Sequence, residues 1–395
     1  MLRFLTAGES HGPSLVVVVE GLPAGLAVDA EDLAGELARR RLGFGRGPRM
    51  RFERDQVRLL GGVRHGRTLG SPVAVEIANT EWPKWEEEMS AAPGLPGKRL
   101  TAPRPGHADL AGMLKYSFDD ARDVLERASA RETAARVAAG YLAKALLATV
   151  GVAVVSHVVR IGAAASSGER PGPGDLAAVD ESEVRCLDAA AAEAMVAEIR
   201  SAAKVGDSLG GVAEVIAYGV PVGLGSYVHW DRKLDGLLAG ALMSIQAVKA
   251  VEIRDGAAQA AQRGSAAHDA IATAPGHARG GGFERRSDHA GGLEGGVSSG
   301  APIIARVSMK PLATLNRPVL ETVDLATGES TVSFKERTDV TAVPALGVVA
   351  EAMVALVLAR EAQRKFGGDT VEEFTRNLEG YLAGLGSHAS AARPA

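Results

Sequence analysis

The sequence predicts an α+β fold in one composite domain, on three observations. Helix-type and strand-type segments are mixed along the 395 residues, without the regular alternation that builds a doubly wound parallel sheet. No stretch stands out as a linker, and no internal repeat is detectable. The hydrophobic fraction of 46% is ample for one large core. We therefore expect a single domain over 1–395, with a tail from about 385 to 395 that is disordered or peripheral.

Strands are predicted where β-branched residues cluster or alternate with polar ones. The predicted strands are 15–19, 72–78, 152–161, 212–217 and 301–309. Helices are predicted where apolar or small residues recur at helical spacing behind a capping residue. The predicted helices are 30–42, 129–150, 188–204, 234–251 and 344–366. Pro- and Gly-containing residues 91–107 and 162–178 are predicted loops, the second a mobile surface loop.

Capping residues set the predicted ends of several helices. Asp29 is a good N-cap, and Gly43 ends the helix that follows it. Ser129 and Glu132 have the capping-box spacing and are predicted to open the next long helix. Gly140 and the alanines around it should let that helix pack closely against a neighbour. Gly367 ends the last of these helices, which is predicted to be amphipathic.

Composition narrows the class of function. A net charge of -4 favours neither a nucleic-acid binder nor a membrane-surface protein. The single cysteine, Cys186, excludes an intrachain disulfide and a cysteine-built zinc or iron–sulfur site, and no metal site is predicted. The N-terminus lacks a signal-peptide core, and the apolar stretches 141–159 and 343–359 each contain a charged residue. We expect a soluble protein of the reducing cytoplasm.

Two histidines stand in glycine-flanked motifs. His11 lies in Gly-Glu-Ser-His-Gly at 8–12, and His107 lies in Arg-Pro-Gly-His-Ala-Asp at 104–109. Glycine lets the backbone turn sharply and present an imidazole to a ligand, and histidine suits acid–base work near neutral pH. Asp109 could orient His107. A turn with a solvated histidine explains either motif, taken alone, equally well.

An arginine-rich segment follows the first predicted helix. Residues 39–51 carry six arginines, at positions 39, 40, 41, 46, 49 and 51. Cations at a helix C-terminus are favourable without any ligand, which explains 39–41 but not the later three. Binding of carboxylate or phosphate is the better interpretation. A nucleic-acid patch is the alternative, and the absence of stacking aromatics beyond Phe44 weakens it.

Three further segments are ambiguous alone. The helix start at 129–133, with Arg127 and Arg131 nearby, could bind a phosphate or flavin phosphate, or be an ordinary capped helix. The glycine-rich run 280–300, within a stretch that is long for a passive connection, could lie against a flat cofactor or be a flexible loop. Asp339 could be a helix cap or a catalytic carboxylate. No Walker A or Rossmann glycine pattern is present.

Together these segments resemble chorismate synthase over nearly the whole chain. Residues 8–12, 126–133 and 337–351 match the three family signatures in order, and 104–109 and 243–252 also look like family segments. The resemblance implies a carbon–oxygen lyase that converts 5-enolpyruvylshikimate 3-phosphate to chorismate and phosphate by 1,4-anti elimination. This is the last common step of the shikimate pathway, which supplies aromatic amino acids. It also implies reduced FMN (FMNH2) as cofactor, helices sandwiched between antiparallel sheets, and a homotetramer.

The resemblance implies a role for each matching position. His11 would protonate the departing phosphate, His107 would protonate or stabilise the reduced flavin, and Asp339 would assist proton removal by way of flavin N5. The substrate's phosphate and carboxylates would be held by Arg40, Arg46 and Arg49. The FMN site would be lined by Arg127, Ala128, Ser129, Gln246, Ala247, Gly295, Lys310, Pro311, Leu312, Ala313, Thr314 and Arg337.

Some positions depart from the usual family residues. They are Ala128, Gln246, Arg254, Thr338 and Thr341. These departures bear on individual flavin contacts and not on the family. Whether the chain reduces its flavin with NADPH is open, and an external flavin reductase is favoured because no separate nicotinamide site is visible. The alternatives are another flavin or phosphosugar enzyme and a non-enzymatic module that binds anions or nucleic acid.

Overall fold

The computed structural model describes residues 2–47, 55–94, 97–166, 168–334 and 338–391. Two antiparallel sheets enclose a layer of helices, and buried apolar side chains from Leu2 to Leu378 form one continuous core. This is the arrangement that the family resemblance implied.

The first sheet contains β1 (Arg3–Ala7), β2 (Ser14–Glu20), β3 (Gln56–Gly61) and, beyond the short hairpin of β4 (Val63–Arg64) and β5 (Arg67–Thr68), β6 (Val73–Ala78). Its strand order is β1-β2-β6-β3, with antiparallel neighbours. Alternate residues of the two central strands are fully buried, as expected for a sheet that faces a core on one side. These residues are Leu15, Val17, Val19, Val73, Val75 and Ile77.

The second sheet has the order β10-β15-β9-β7-β8. Its strands are β7 (Ala153–Ile161), β8 (Ala164–Ala165), β9 (Gly211–Tyr218), β10 (Val248–Ile253) and β15 (Ile303–Met309). The predicted helix over 234–251 was wrong in its second half, because the helix ends at Met243. Ala247 turns the chain with a φ of 66°, and the β-branched residues after it pair with β15 instead of continuing the helix.

Three helices form the middle layer: α1 (Ala30–Arg41), α4 (Thr133–Ala148) and α9 (Val343–Phe366). α4 packs on β2 of the first sheet, α9 packs on β7 and β9 of the second, and the two helices pack on each other. A Cβ atom built on Gly140 would lie 2.3 Å from Cβ of Ala352, so the predicted close packing at this glycine is confirmed.

The predicted amphipathic character of α9 was wrong, because the helix is buried on nearly all sides. Among the described residues it alone is long and apolar enough to cross a membrane, but 89% of its most apolar window is buried inside the protein. It is the central core helix. Its predicted end at Gly367 is confirmed.

The remaining elements surround these layers. The helices are α2 (Asp109–Tyr116), α3 (Arg122–Ala128), α5 (Leu176–Glu181), α6 (Ala189–Val205), α7 (Leu234–Met243), α8 (Gly264–Ala267) and α10 (Val371–Ala391). The small hairpins pair β11 (Ile271–Thr273) with β12 (Phe283–Arg285), β13 (Leu293–Glu294) with β14 (Val297–Ser298), and β16 (Glu321–Val323) with β17 (Ser330–Val332). The loop predicted over 162–178 is partly ordered, since it contains β8 and the start of α5.

The two predicted N-terminal caps have different outcomes. Asp29 caps α1 by accepting hydrogen bonds from the amides of Glu31 and Asp32. The capping box of Ser129 and Glu132 was wrong, because the Ser129 hydroxyl caps only a short 3-10 turn and α4 begins at Thr133. The carboxylate of Glu132 instead binds Thr6, Arg136 and Gln246, which hold it away from the turn.

Candidate active site

A cavity of about 1090 Å³ collects most of the residues singled out in the sequence. It lies against α1, α3, α4 and α9 and is completed by the segments before β10 and after β15. His11, Arg40, Arg46, His107 and Asp339 all line it. Its volume slightly exceeds the usual range for ligand sites, about 300–1,000 Å³, which leaves room for two molecules.

His11 is held by a buried carboxylate. Its ring Nδ1 lies 2.9 and 3.0 Å from the two carboxylate oxygens of Glu126, and its backbone amide donates to Oε2 at 2.9 Å. Glu126 is 3% exposed. Burial alone would raise the pKa of Glu126, but hydrogen bonds from His11 outweigh it and hold the pKa below its ordinary value. The carboxylate therefore stays ionised beside the imidazole.

An aromatic ring covers His11. The ring of Trp85 stacks on the imidazole with 4.1 Å between centroids and 27° between planes. The guanidinium of Arg122 lies 5.0 Å from the centroid of Trp85 and also donates to Glu126 at 3.1 Å. No role was predicted for Trp85, Arg122 or Glu126, because the contacts of His11 with Trp85 and Glu126 join segments far apart in the chain.

His107 has a similar support. Its Nδ1 is hydrogen-bonded to Oδ1 of Asp109, which confirms the predicted pairing, and Asp109 is fully buried. Arg104 donates to Oδ2 of Asp109 at 2.8 Å and lies 3.0 Å from Nδ1 of His107. Burial opposes ionisation of Asp109, but its hydrogen bonds with His107 and Arg104 outweigh it and hold the pKa well below its usual range. The motif is therefore an ordered unit.

The arginine-rich segment divides among three environments. Arg39 points into the core, where it pairs with Glu351, and only Arg40 of the three helical arginines lines the cavity. Arg40 donates to Thr133 at 2.9 Å and to the carbonyl of Ala130 at 2.8 Å. Arg41 lies 3.9 Å from Asp55. The contacts of Arg40 secure the end of α1 against the start of α4.

The third predicted catalytic residue, Asp339, closes the cavity beside Arg46. Nε of Arg46 lies 3.2 Å from Oδ2 of Asp339, and the amide of Gly47 donates to Oδ1 at 2.6 Å. Asp339 therefore joins the loop after α1 to the segment before α9. Arg49 and Arg51 lie outside the described residues.

Cationic side chains outnumber acidic ones along the described wall of the cavity. The cations are Arg40, Arg46, Lys84, Lys98, Arg104, Arg122, Arg131 and Lys310, and the acidic residues are Glu81, Glu88 and Asp339. A low-dielectric cleft with this excess concentrates anions. Apolar side chains of Leu125, Ile245, Leu346 and Val349 supply a surface suited to a flat ring. The cavity thus fits an anionic ligand beside an aromatic one.

Comparison with known proteins decides the family. Residues 2–362 match the family model of chorismate synthase. The chorismate synthase of Thermobifida fusca is 57% identical over 397 residues, which cover 98% of this chain and 99% of that protein. That of Frankia alni is 60% identical over 397 residues, covering 98% and 100%. A crystal structure of chorismate synthase matches with a TM-score of 0.79 and 39% identity over 98% of both chains.

The chain belongs to the chorismate synthase family. The family, the lyase class and the α+β fold predicted from the sequence are confirmed. The chain spans nearly the full length of these relatives.

Most positions that the chorismate synthase resemblance assigned to the flavin line the same cavity. They are Ala128, Ser129, Gln246, Ala247, Lys310, Leu312, Ala313 and Thr314. Three described positions do not line it. Arg127 donates to the carbonyls of Gly8 and Thr6, Pro311 lies within the lining segment, and Gly295 lies in the turn between β13 and β14. Arg337 lies outside the described residues.

The departures from the chorismate synthase pattern have separate structural settings. Ala128, Gln246 and Thr338 line the cavity. Thr341 is fully buried and accepts from the amide of Val343 at the start of α9. Arg254 has a φ of 49° and pairs with Asp255 and Asp288, away from the cavity.

Proposed function

We propose that this chain converts 5-enolpyruvylshikimate 3-phosphate to chorismate and phosphate by 1,4-anti elimination, with reduced FMN bound in the cavity. The observation that carries the proposal is that His11, His107, Arg40, Arg46 and Asp339 line one cationic cavity. The substrate carries two carboxylates and a phosphate, so a site dense in guanidinium groups is required.

The reaction needs an acid at the phosphate and a base at the ring. In the net elimination, a ring hydrogen leaves as a proton, its electron pair enters the ring π system, the existing double bond shifts, and the C–O bond breaks toward phosphate. His11 donates a proton to the departing phosphate oxygen, and Asp339 assists removal of the ring proton. Arg40 and Arg46 offset the negative charge that gathers on phosphate.

The cavity has features that fit FMN. Oε1 of Gln246 is buried without a hydrogen-bond partner among the described residues, and Gln246 lines the wall that also carries Ile245 and Val349. A flavin ring edge could donate to that oxygen while its face lies on the apolar side chains. Ser129 and Thr314 offer hydroxyl groups. When bound, reduced FMN would supply transient electron density, and His107 would stabilise its reduced form.

An anaerobic assay tests the reaction and the source of reduced flavin together. Substrate is supplied with chemically reduced FMN in one arm, and with oxidised FMN and NADPH in the other. We expect chorismate in the first arm only, because no separate nicotinamide site is evident among the residues that the structure describes, and an external reductase would supply the reduced flavin. Absence of chorismate in the first arm would refute the proposed function. Chorismate in both arms would refute only the external reductase.

Substitution of the histidines tests their roles. His11→Ala and His107→Ala should each lower kcat by roughly 10- to 1000-fold while the fold is kept, the scale of general acid–base groups. His65→Ala is the matched control, because that histidine is exposed and does not line the cavity. Wild-type rates in both variants would contradict the assignment.

Arg46 is expected to act mainly in substrate binding. Arg46→Ala should raise the substrate Kd by about 10- to 100-fold, the cost of one charge-assisted hydrogen bond. Arg58→Ala is the control, since Arg58 pairs with Glu76 on the surface of the first sheet. An unchanged Kd, measured by titration calorimetry, would argue against the role.

Assembly as a cytoplasmic homotetramer is also part of the proposal. Several large apolar side chains are exposed in the single chain, as a subunit interface would require. They include Leu5 at 73%, Leu114 at 71%, Tyr227 at 78% and Trp230 at 87% exposed. Light scattering should report a particle of four 40.7 kDa chains. In thermal or urea denaturation, each chain should unfold as one composite domain. A monomer at micromolar concentration would overturn the tetramer.

A further inference from the structure

His11 sits in a closed ring of four side chains that join three parts of the chain. Its imidazole contacts Glu126 through Nδ1 and Trp85 through its face, and Arg122 contacts both of these residues. Glu126 and Arg122 lie on α3, whereas Trp85 follows the short 3-10 turn Trp82–Lys84. Such a ring restricts every member, because no side chain can move without breaking two contacts.

The carboxylate fixes how the imidazole is turned. A 180° flip of the ring would carry Nδ1 away from Glu126 and lose a hydrogen bond of 2.9 Å to a group that is almost fully buried. An ionised carboxylate accepts and cannot donate, so Nδ1 of His11 carries a hydrogen when the ring is neutral. Proton exchange with a ligand then takes place at Nε2.

The indole fixes the plane of the imidazole. With 4.1 Å between centroids, Trp85 occupies one face of His11 and prevents rotation toward that side. Arg122 keeps Trp85 in place from 5.0 Å and is itself held by Glu126 and by Glu88.

We propose that Glu126 and Trp85, linked by Arg122, form the positioning unit that aims Nε2 of His11 at the departing phosphate. The inference rests on the proposed function, in which His11 is the general acid. Glu126 and Trp85 act through the imidazole, so their loss should slow proton delivery without weakening the binding of substrate.

Glutamine at position 126 is the first test. Glu126→Gln keeps the size of the side chain but removes the charge, and its amide group can turn either an acceptor or a donor toward Nδ1. We expect kcat to fall by roughly 10- to 100-fold and KM for the substrate to change by less than about threefold. Glu361→Gln is the matched control, because Glu361 is equally buried, pairs with Arg364 and lies outside the cavity. It should retain wild-type kcat.

A double-mutant cycle separates positioning from a general effect on structure. In the His11→Ala background, Glu126→Gln should have no further effect on kcat, because the group it positions is already gone. If the two losses multiply, or if Glu126→Gln alone matches the wild type, the inference is overturned. Wild-type activity of His11→Ala would instead contradict the general-acid role of His11, so the two failures are distinguishable.

The indole offers a second test if Glu126→Gln does not fold. Trp85→Phe keeps an aromatic face and should hold kcat within about threefold, whereas Trp85→Leu should lower it roughly tenfold at unchanged KM. Circular dichroism and FMN titration check that both variants are folded and bind flavin. Equal kcat in Trp85→Phe and Trp85→Leu would show that stacking does not position the imidazole and would overturn its part of the inference.

Discussion

Replacing Glu351 by glutamine should lower the free energy of unfolding by about 3–5 kcal/mol at neutral pH. Glu351 lies in the middle of α9 and is fully buried. Arg39 binds it through two hydrogen bonds of 2.8 and 2.9 Å, Lys144 lies 2.5 Å away, and Arg185 lies 3.3 Å away. The hydroxyl of Ser156 donates to it at 2.7 Å.

The magnitude follows from the number of charges that would be left behind. At a separation of about 4 Å and an effective dielectric constant of 20, the Coulomb attraction between each cation and the Glu351 carboxylate is about 4 kcal/mol. The cost of removing the same groups from water offsets much of that attraction. Glutamine keeps one acceptor oxygen but directs an amide N–H₂ group at Lys144 or Arg39. Among the described residues, the three cations then share only Glu36 and Asp180, so one buried positive charge is uncompensated.

Lowering the pH should reduce the difference in unfolding free energy between the wild type and Glu351→Gln. Burial alone would raise the pKa of Glu351, but the charges of Lys144 and Arg39 outweigh it and hold the pKa below its usual range. A carboxyl whose folded pKa is depressed stabilises the fold above its unfolded value, about 4.3, and loses that contribution as the pH falls through the folded value. The difference between wild type and variant should therefore narrow below about pH 4.

Urea denaturation followed by circular dichroism, at equal protein concentrations, measures the difference. Glu20→Gln is the control, since its partner Arg3 is largely exposed, and it should cost less than about 1 kcal/mol. A loss below about 1 kcal/mol for Glu351→Gln, with an unchanged slope in urea, would refute the reasoning. It would show that the cluster can rearrange or admit water when the charge is removed.

Two further substitutions test the packing and the second sheet. Gly140→Ala should lower the free energy of unfolding by about 1–3 kcal/mol, because the new Cβ would lie 2.3 Å from that of Ala352. Gly35→Ala is the control and should stabilise the protein slightly, because the space around Gly35 is open. Thermal unfolding measures both effects. Burial alone would raise the pKa of Glu214, but a hydrogen bond from His157 and neighbouring arginines hold it at about 2. Its contribution of about 3 kcal/mol should be present above about pH 4.5 and decline toward pH 2, so denaturation of Glu214→Gln should converge with wild type in acid.

Local chemistry explains why much of the fold could be predicted from the sequence. The strands at 15–19, 72–78 and 212–217 and the cap at Asp29 depend on neighbouring residues alone, and all are confirmed. The segment 248–251 was misassigned because alanine and valine suit a short helix or a strand, and pairing with β15 decides between them.

The three consecutive arginines show where local reasoning ends. Successive residues of a helix point about 100° apart. Arg39 therefore reaches Glu351 in the core, Arg40 reaches the cavity, and Arg41 lies toward Asp55. Placement at a helix C-terminus explains all three cations equally well, so local reasoning cannot show that only Arg40 of the three lines the cavity.

Both histidines are held by a buried carboxylate at Nδ1, although the two carboxylates lie at different distances along the chain. His107 finds its carboxylate two residues away, in Asp109, so the pair could be predicted from a hexapeptide. His11 finds its carboxylate 115 residues away, in Glu126, and nothing near His11 in the chain points to it. In both units an arginine also binds the carboxylate, Arg104 in one and Arg122 in the other.

This common plan has a consequence for acid–base chemistry beside a polyanion. A carboxylate at Nδ1 fixes the direction of the imidazole, and the arginine limits how much negative charge that carboxylate adds to the cavity. Under the proposed function, each histidine would then present Nε2 to its ligand while the cavity as a whole stays cationic enough to hold an anion. A solvated histidine would gain neither effect. Under the proposed function, the buried carboxylates therefore favour a catalytic role for these two motifs, which the sequence alone left ambiguous.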